Sequence, residues 1–196
     1  MGDGSGPLLD DPCDSRHAAR VARLADGFAS WLGWNDAQRA LLRRGAILHD
    51  VGKLTVSQAV LLKPGELSPS ELAEVRLHPS AGAWLVAPVL SLRDVLSCIL
   101  LHHERWDGDG YPTGRRRAAT PLVARLLAVA DAYDAMVSDR PYRRAMSPAA
   151  ALQELGRGAG TQFDPALAEA FIAWRSALRR AGVRASPRPR ASNAFA

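Results

Sequence analysis

Residues 91–136 read SLRDVLSCILLHHERWDGDGYPTGRRRAATPLVARLLAVADAYDAM, and the three parts of this stretch decide the architecture. The first part spaces Leu92, Val95, Leu96 and Ile99 three and four residues apart, the period of an amphipathic helix, and delivers that helix onto His102 and His103. The second part, Glu104 to Thr120, has no apolar period. It is glycine-rich and carries the run Arg115, Arg116, Arg117. A connection of 17 residues in a compact domain is functional or disordered, and its place directly after the histidine pair points to function. The third part opens with Thr120-Pro121, a capping residue followed by proline at the first helical position, and runs into an apolar helix that carries Asp131 four residues after Leu127.

The same opening recurs at Ser68-Pro69, Ser147-Pro148 and Asp164-Pro165, and Glu71 completes a capping box with Ser68. Val21, Leu24, Phe28 and Leu32 form another helical stripe. With no strand-like alternation and no internal repeat, the expected fold class is all-α. Helices are expected near 15–32, 36–50, 56–61, 69–77, 79–88, 91–103, 121–137, 148–155 and 165–181. They make one domain over 15–181, between an N-terminal extension (1–14) and a basic, disordered tail (182–196).

Composition narrows the function classes. The 196 residues, 47% hydrophobic and 23% charged, suit a single globular domain with a proper core. No run approaches the roughly 18 apolar residues of a membrane span. Residues 1–14 hold acids and no apolar stretch, so no secretory signal is expected and the cytosol is the expected compartment. The net charge of +5 suggests a nucleic-acid ligand, but six arginines and no acid fall between Arg175 and Ala196. Of 25 basic residues, 19 remain in the body against 20 acidic ones, so no sequence-specific nucleic acid is expected as a partner. Cys13 and Cys98 stand far apart, which indicates neither a disulfide framework nor a thiolate metal site.

The placement of the five histidines carries the chemistry. His17 continues the stripe of Val21, Leu24 and Phe28; His49 continues Leu42 and Ala46; His102 and His103 continue Val95, Cys98 and Ile99. One histidine on an apolar face is ordinarily a hydrogen-bonded core residue, and taken alone His17 or His78 reads that way. Several separated segments that each turn a histidine or aspartate inward read differently. A buried carboxylate must be neutralised, paired or metal-bound, and Lys53 is the main cation on these faces. Imidazole and carboxylate without thiolate suit iron, manganese, zinc or nickel. His17, His49, Asp50, His78, His102, His103 and Asp131 exceed the needs of one ion, so two ions sharing a bridging carboxylate are expected.

His49-Asp50-Val51-Gly52-Lys53 resembles the HD(I/V)GK signature of the HD phosphohydrolase superfamily. His102-His103-Glu104 with Asp107-Gly108-Asp109-Gly110-Tyr111-Pro112 is similar to the HHE and DGxGYP elements of its HD-GYP branch. LLKPGELSPSELAEVRLHP, VADAYDAMVSDRPYR and GAGTQFDP add to the likeness, which covers roughly residues 11–175. The resemblance implies an HD-domain helical bundle with a metal centre in its core and hydrolysis of cyclic di-GMP to pGpG, and in some members on to GMP. It implies one ion among His17, His49, Asp50 and Asp131 and another among Asp50, His78, His102 and His103, with iron or manganese ahead of zinc or nickel. Where some members carry a glutamate for a third ion this chain has Cys13, so two divalent ions are expected.

A metal-activated hydroxide in line with phosphorus is the expected nucleophile. Asp50 and Lys53 are the catalytic candidates; Lys53 either binds a phosphate oxygen or pairs with Asp50 or Asp131. Glu104 and Asp134 either orient ligand imidazoles or are ordinary polar residues at a helix end. Gly110, Tyr111 and Pro112 border the expected substrate groove, and the resemblance gives Arg140 and Arg143 a phosphate or guanine to hold. Tyr111 and Trp106 either stack on guanine or anchor the loop. Beside a cyclic di-GMP phosphodiesterase stand two other readings: a phosphohydrolase for another nucleotide, and a silent cyclic-dinucleotide sensor or cyclase-interaction module. A GGDEF-type cyclase and a second copy of the chain are the candidate protein partners.

Overall fold

Helix α1 (Ser15–Trp31) buries Val21, Ala25 and Phe28 completely, the inward side of the stripe seen in the sequence. The chain turns at residues 32–35 and restarts from Asn35, whose side chain accepts from Gln38 N at 2.9 Å while the Asn35 N–H donates to Gln38 Oε1 at 3.0 Å. This capping box opens α2 (Asp36–Leu48), which packs along α1 and is pinned to it by Arg39 and Arg43 on Asp26. The computed structural model describes residues 15–139 and 144–182. After α2 come α3 (Gln58–Leu61), α4 (Pro69–Arg76), α5 (His78–Val86), α6 (Leu96–Leu101), α7 (Leu122–Val137), α8 (Pro148–Arg157) and α9 (Pro165–Arg180).

Helix α7 is the axis of the bundle, touching α1, α2, α6, α8 and α9. Around it Phe28, Leu42, Leu126, Leu127, Tyr133, Leu155, Phe171 and Trp174 form one continuous core. Each fully buried side chain of this size contributes about 1.5–3 kcal/mol. A smaller cluster of Val86, Val95 and Ile99 seats α5 and α6 against α2. Among the described residues there is no strand, only an isolated bridge between Ala159 and Phe163. No described helix is long and apolar enough to cross a membrane.

The all-α reading holds, and so do three of the four proline openings. Ser68 caps α4 and pairs reciprocally with Glu71, Ser147 accepts from Ala150 N, and Asp164 accepts from Ala166 N and Leu167 N. Thr120 differs. Pro121 keeps extended backbone (ψ 144°), so α7 starts at Leu122 and the Thr120 hydroxyl is buried without a partner. The short 56–61 helix is found as α3, preceded by a 3₁₀ turn at Val51–Thr55 that was not expected, and the expected 91–103 helix resolves into a 3₁₀ turn at Leu90–Val95 followed by α6. Apolar spacing does not separate these winds, because positions i and i+3 share a face in both.

Candidate metal centre

Five of the seven inward residues sit at or just beyond helix ends. His49 and Asp50 follow the last turn of α2, His78 is the first residue of α5, and His102 and His103 follow α6; His17 lies in the first turn of α1 and Asp131 in the middle of α7. The approach of the 3₁₀ turn to α5 is close. A Cβ on Gly52 would lie 1.8 Å from the His78 carbonyl oxygen and 2.5 Å from Gly82 N, so only glycine lets Asp50 reach His78.

Four imidazoles are held by the same device. His49 Nδ1 donates to the Ala46 carbonyl at 2.7 Å, His78 Nδ1 to Val75 at 2.8 Å, His102 Nδ1 to Ile99 at 2.9 Å, and His17 Nδ1 to Asp134 Oδ2 at 2.8 Å. With Nδ1 engaged in this way, each ring turns its Nε2 toward the interior. Asp50 receives both sides. Its Oδ1 lies 3.3 Å from His78 Nε2 and 3.9 Å from His102 Nε2; its Oδ2 lies 3.3 Å from His49 Nε2 and 4.0 Å from His17 Nε2. Asp131 Oδ1 adds contacts of 3.1 Å to His17 Nε2 and 3.8 Å to His49 Nε2. Two groups of donor atoms converge within 4.8 Å, one from Asp50, His78, His102 and His103 and one from His17, His49 and Asp50, and Asp50 is common to both.

This donor set fits divalent cations. His49 Nε2 and Asp50 Oδ1 are buried without a hydrogen-bond partner, a costly arrangement unless a ligand completes it. His78 Nε2 and His102 Nε2 face each other at 3.4 Å although both rings have spent their Nδ1 protons on carbonyls, so two lone pairs converge on one point. Oxygen and imidazole donors without sulfur suit a divalent cation.

Charge divides the centre into two halves. Burial pushes the His102 imidazole well below its usual value and takes His103 down to about 4, which leaves both neutral and ready to ligate. Burial also opposes protonation of His17, but hydrogen bonds to Asp131 and Asp134 prevail and raise it to about 9. Burial would raise the Asp50 carboxyl, yet His49, His78 and Lys53 hold it well below the usual carboxylate range. Lys53 Nζ lies 2.6 Å from Asp50 Oδ2. It stands in the 3₁₀ turn, and this tighter wind brings the i, i+3 pair into contact.

Asp134, 2% exposed, accepts from one imidazole, that of His17, and also from Arg20 Nε at 3.0 Å. Glu104 departs from expectation. It touches no imidazole; instead its carboxylate accepts from Thr113 N and Oγ1, both at 2.7 Å, and from Arg115 N at 3.0 Å. The acid that follows the histidine pair therefore folds the long loop, a role invisible to the sequence because the loop has no period to predict contacts from. Gly110 passes so close to the chain that a Cβ there would lie 2.3 Å from Arg105 N. Tyr111, joined to Pro112 by a cis peptide, stacks on His103 with ring centroids 4.8 Å apart, while Pro112 is exposed. Trp106 anchors the far side of the loop: its backbone N–H donates to the Gln162 carbonyl at 3.2 Å and the Arg125 guanidinium, ion-paired with Asp164, covers its ring. Arg140, Arg143 and Cys13 lie outside the described residues, as do nearly all of the extension and the tail.

The structure is thus a helical bundle with a histidine–aspartate cluster among its helices, beside a glycine-rich loop whose tyrosine lies on His103. The chain belongs to the HD domain family, whose model matches residues 8–167. It is 36% identical over 161 residues to a cyclic di-GMP phosphodiesterase of Thermotoga maritima, covering 80% of this chain and 43% of that protein. It is 37% identical over 175 residues to the 3'3'-cGAMP-specific phosphodiesterase 3 of Vibrio cholerae, covering 88% of this chain and 37% of that one. Among solved structures, Bd1817, an HDG"Y"P protein from Bdellovibrio bacteriovorus, matches with a TM-score of 0.65 at 25% identity, over 83% of this chain and 52% of the other. The chain thus spans less than half the length of the curated relatives named here.

Proposed function

We propose that this chain is a metal-dependent phosphodiesterase that hydrolyses cyclic di-GMP to pGpG. The observation that carries the proposal is the division of Asp50, one oxygen toward His78 and His102 and the other toward His49 and His17, beside a loop whose tyrosine lies on His103. That arrangement suits two divalent ions bridged by one carboxylate, held on one side by His17, His49 and Asp131 and on the other by His78, His102 and His103. Iron or manganese is the first choice for this donor set, with zinc and nickel as alternatives. Bound ions of this kind supply Lewis acidity toward phosphate oxygens and a water acidic enough to attack phosphorus near neutral pH.

The protein's own groups do the rest. Asp50 holds the two halves of the centre in register. Lys53, ion-paired with that carboxylate, exchanges Asp50 for a phosphate oxygen as substrate arrives and stabilises the charge that develops on it, a role supported by its closeness to Asp50. Asp134 fixes the His17 tautomer, and Gly110, Tyr111 and Pro112 form the wall against which the dinucleotide lies. Arg140 and Arg143 are proposed phosphate or guanine contacts on sequence grounds alone.

The test is to incubate metal-replete protein with cyclic di-GMP and with 3'3'-cyclic GMP-AMP and follow the products by chromatography. Appearance of pGpG supports the proposal. Preferential turnover of the mixed dinucleotide moves the assignment to that substrate, consistent with the Vibrio cholerae relative. Tight binding with no product under iron, manganese, zinc or nickel makes the domain a sensor and overturns the enzymatic reading.

A further inference from the structure

Arg76 ends α4 two residues before His78, and its guanidinium carbon lies 5.4 Å from the centroid of the Tyr111 ring. Tyr111 in turn stacks on His103. A side chain that periodicity treats as an ordinary exposed helix residue therefore stands over the tyrosine that walls the metal centre. Its charge is unused. The acids of its own helix are committed elsewhere, Glu71 to Lys63 at 2.6 Å and Glu74 to Ser57 N at 2.7 Å, and no carboxylate among the described residues pairs with Arg76. Elsewhere arginines close to acids pair with them: Arg20 with Asp134, Arg39 with Asp26, Arg105 with Asp107, Arg125 with Asp164. An exposed guanidinium stacked on an aromatic ring keeps its orientation while its N–H donors stay free, the state that suits capture of a phosphate.

A cyclic dinucleotide carries two phosphodiesters. The centre accommodates one, with Lys53 beside it, and the second lies across the ring with its own negative charge and no counter-charge from the metal ligands. We infer that Arg76 forms an anion subsite for the phosphodiester that is not being cut, holding it against the face of the groove lined by Tyr111. The inference rests on the phosphodiesterase reading above, since it presupposes a bis-phosphate substrate in the groove. Arg76 touches the substrate but not the reacting atoms, so its contribution falls on KM.

The experiment compares wild type with Arg76→Ala, Arg76→Gln and Arg76→Lys on three substrates: cyclic di-GMP, 3'3'-cyclic GMP-AMP and bis(p-nitrophenyl) phosphate, which has a single phosphodiester. Loss of a charge-assisted hydrogen bond is expected to raise KM for both cyclic dinucleotides about tenfold, with kcat within about threefold, and Arg76→Lys is expected to recover most of the loss. Turnover of bis(p-nitrophenyl) phosphate and metal content remain at wild-type levels. An equal loss on the single diester would show that Arg76 acts through Tyr111 on the centre and would overturn the subsite. A loss on cyclic di-GMP alone would make Arg76 a guanine contact and overturn it too, as would an unchanged KM. If wild type cleaves none of the three, the phosphodiesterase reading itself fails, a result distinct from wild-type turnover that Arg76→Ala leaves untouched.

Discussion

Asp50 joins both halves of the candidate centre through one side chain. Four Nε2 atoms lie within 4.0 Å of its two oxygens, so Asp50→Ala removes the link between both halves of the centre at once. Turnover is expected to fall by at least about a thousandfold, with metal content by elemental analysis well below wild type. An active Asp50→Ala protein that kept its metal would remove Asp50 from the centre. Asp134 acts one step further out. It fixes His17 from the Nδ1 side, and Asp134→Ala is expected to lower metal affinity or activity about 10–100-fold while the helical circular dichroism is retained. At this scale the sequence was legible wherever a polar residue interrupted an apolar stripe, since the stripe says which way the residue points: His17, His49, His102 and Asp131 converge on one cluster. Glu104 was not legible. It precedes no stripe, and the backbone amides of Thr113 and Arg115 reach it only because the loop turns back on itself. Arg76 was passed over for the opposite reason, that an exposed arginine on a short helix carries no periodic signal.

Two elements set the centre's geometry, and both depend on backbone approach. The 3₁₀ turn Val51–Thr55 brings Asp50 to α5, and a methyl group at Gly52 would collide with the His78 carbonyl at 1.8 Å. Gly52→Ala is therefore expected to separate the turn from α5, with both a lower melting temperature and loss of metal. Gly110→Ala meets backbone atoms as well, Arg105 N at 2.3 Å and Glu104 Cα at 2.6 Å, but within the loop. It is expected to displace Tyr111 and reduce turnover of a cyclic dinucleotide while most of the bound metal remains. Measuring metal content and turnover on the two variants separates the roles; metal loss in Gly110→Ala equal to that in Gly52→Ala would show that the loop also holds the ligands. The long helices were predicted to within a residue or two because their apolar periods are long enough to average over local effects, as in α1, α7 and α9. Short winds were not, because five or six residues fit a 3₁₀ turn and an α-helix equally well.

The bundle keeps stability and chemistry in different places. Its main core lies among α1, α2, α7, α8 and α9, where Phe171 meets Phe28, Tyr133 and Trp174 at ring-centroid distances of 5.0, 5.1 and 5.3 Å, while the candidate metal ligands gather at the C-terminal end of α2, where α5 and α6 close toward His17 of α1 and Asp131 of α7. The seam between α1 and α2 offers a probe of stability alone. Asp26 accepts from Arg39 at 3.0 and 2.8 Å and from Arg43 at 2.6 Å. Partial burial would raise its carboxyl, but the two guanidiniums outweigh that and hold it below the usual aspartate value. Between the folded and unfolded values the unfolded chain binds the extra proton, so this contribution is complete above the unfolded value and disappears as pH falls through the folded one. Asp26→Asn is expected to destabilise by about 1 kcal/mol near neutral pH and low salt, roughly 2–4 °C in melting temperature, with metal content and turnover unchanged. The gap between wild type and Asp26→Asn is expected to narrow as pH is lowered from about 6 toward 3, since only wild type loses a charge there. A gap that stayed constant over that range would mean that the seam is held by packing of α1 on α2 and that the ion pairs add nothing to it.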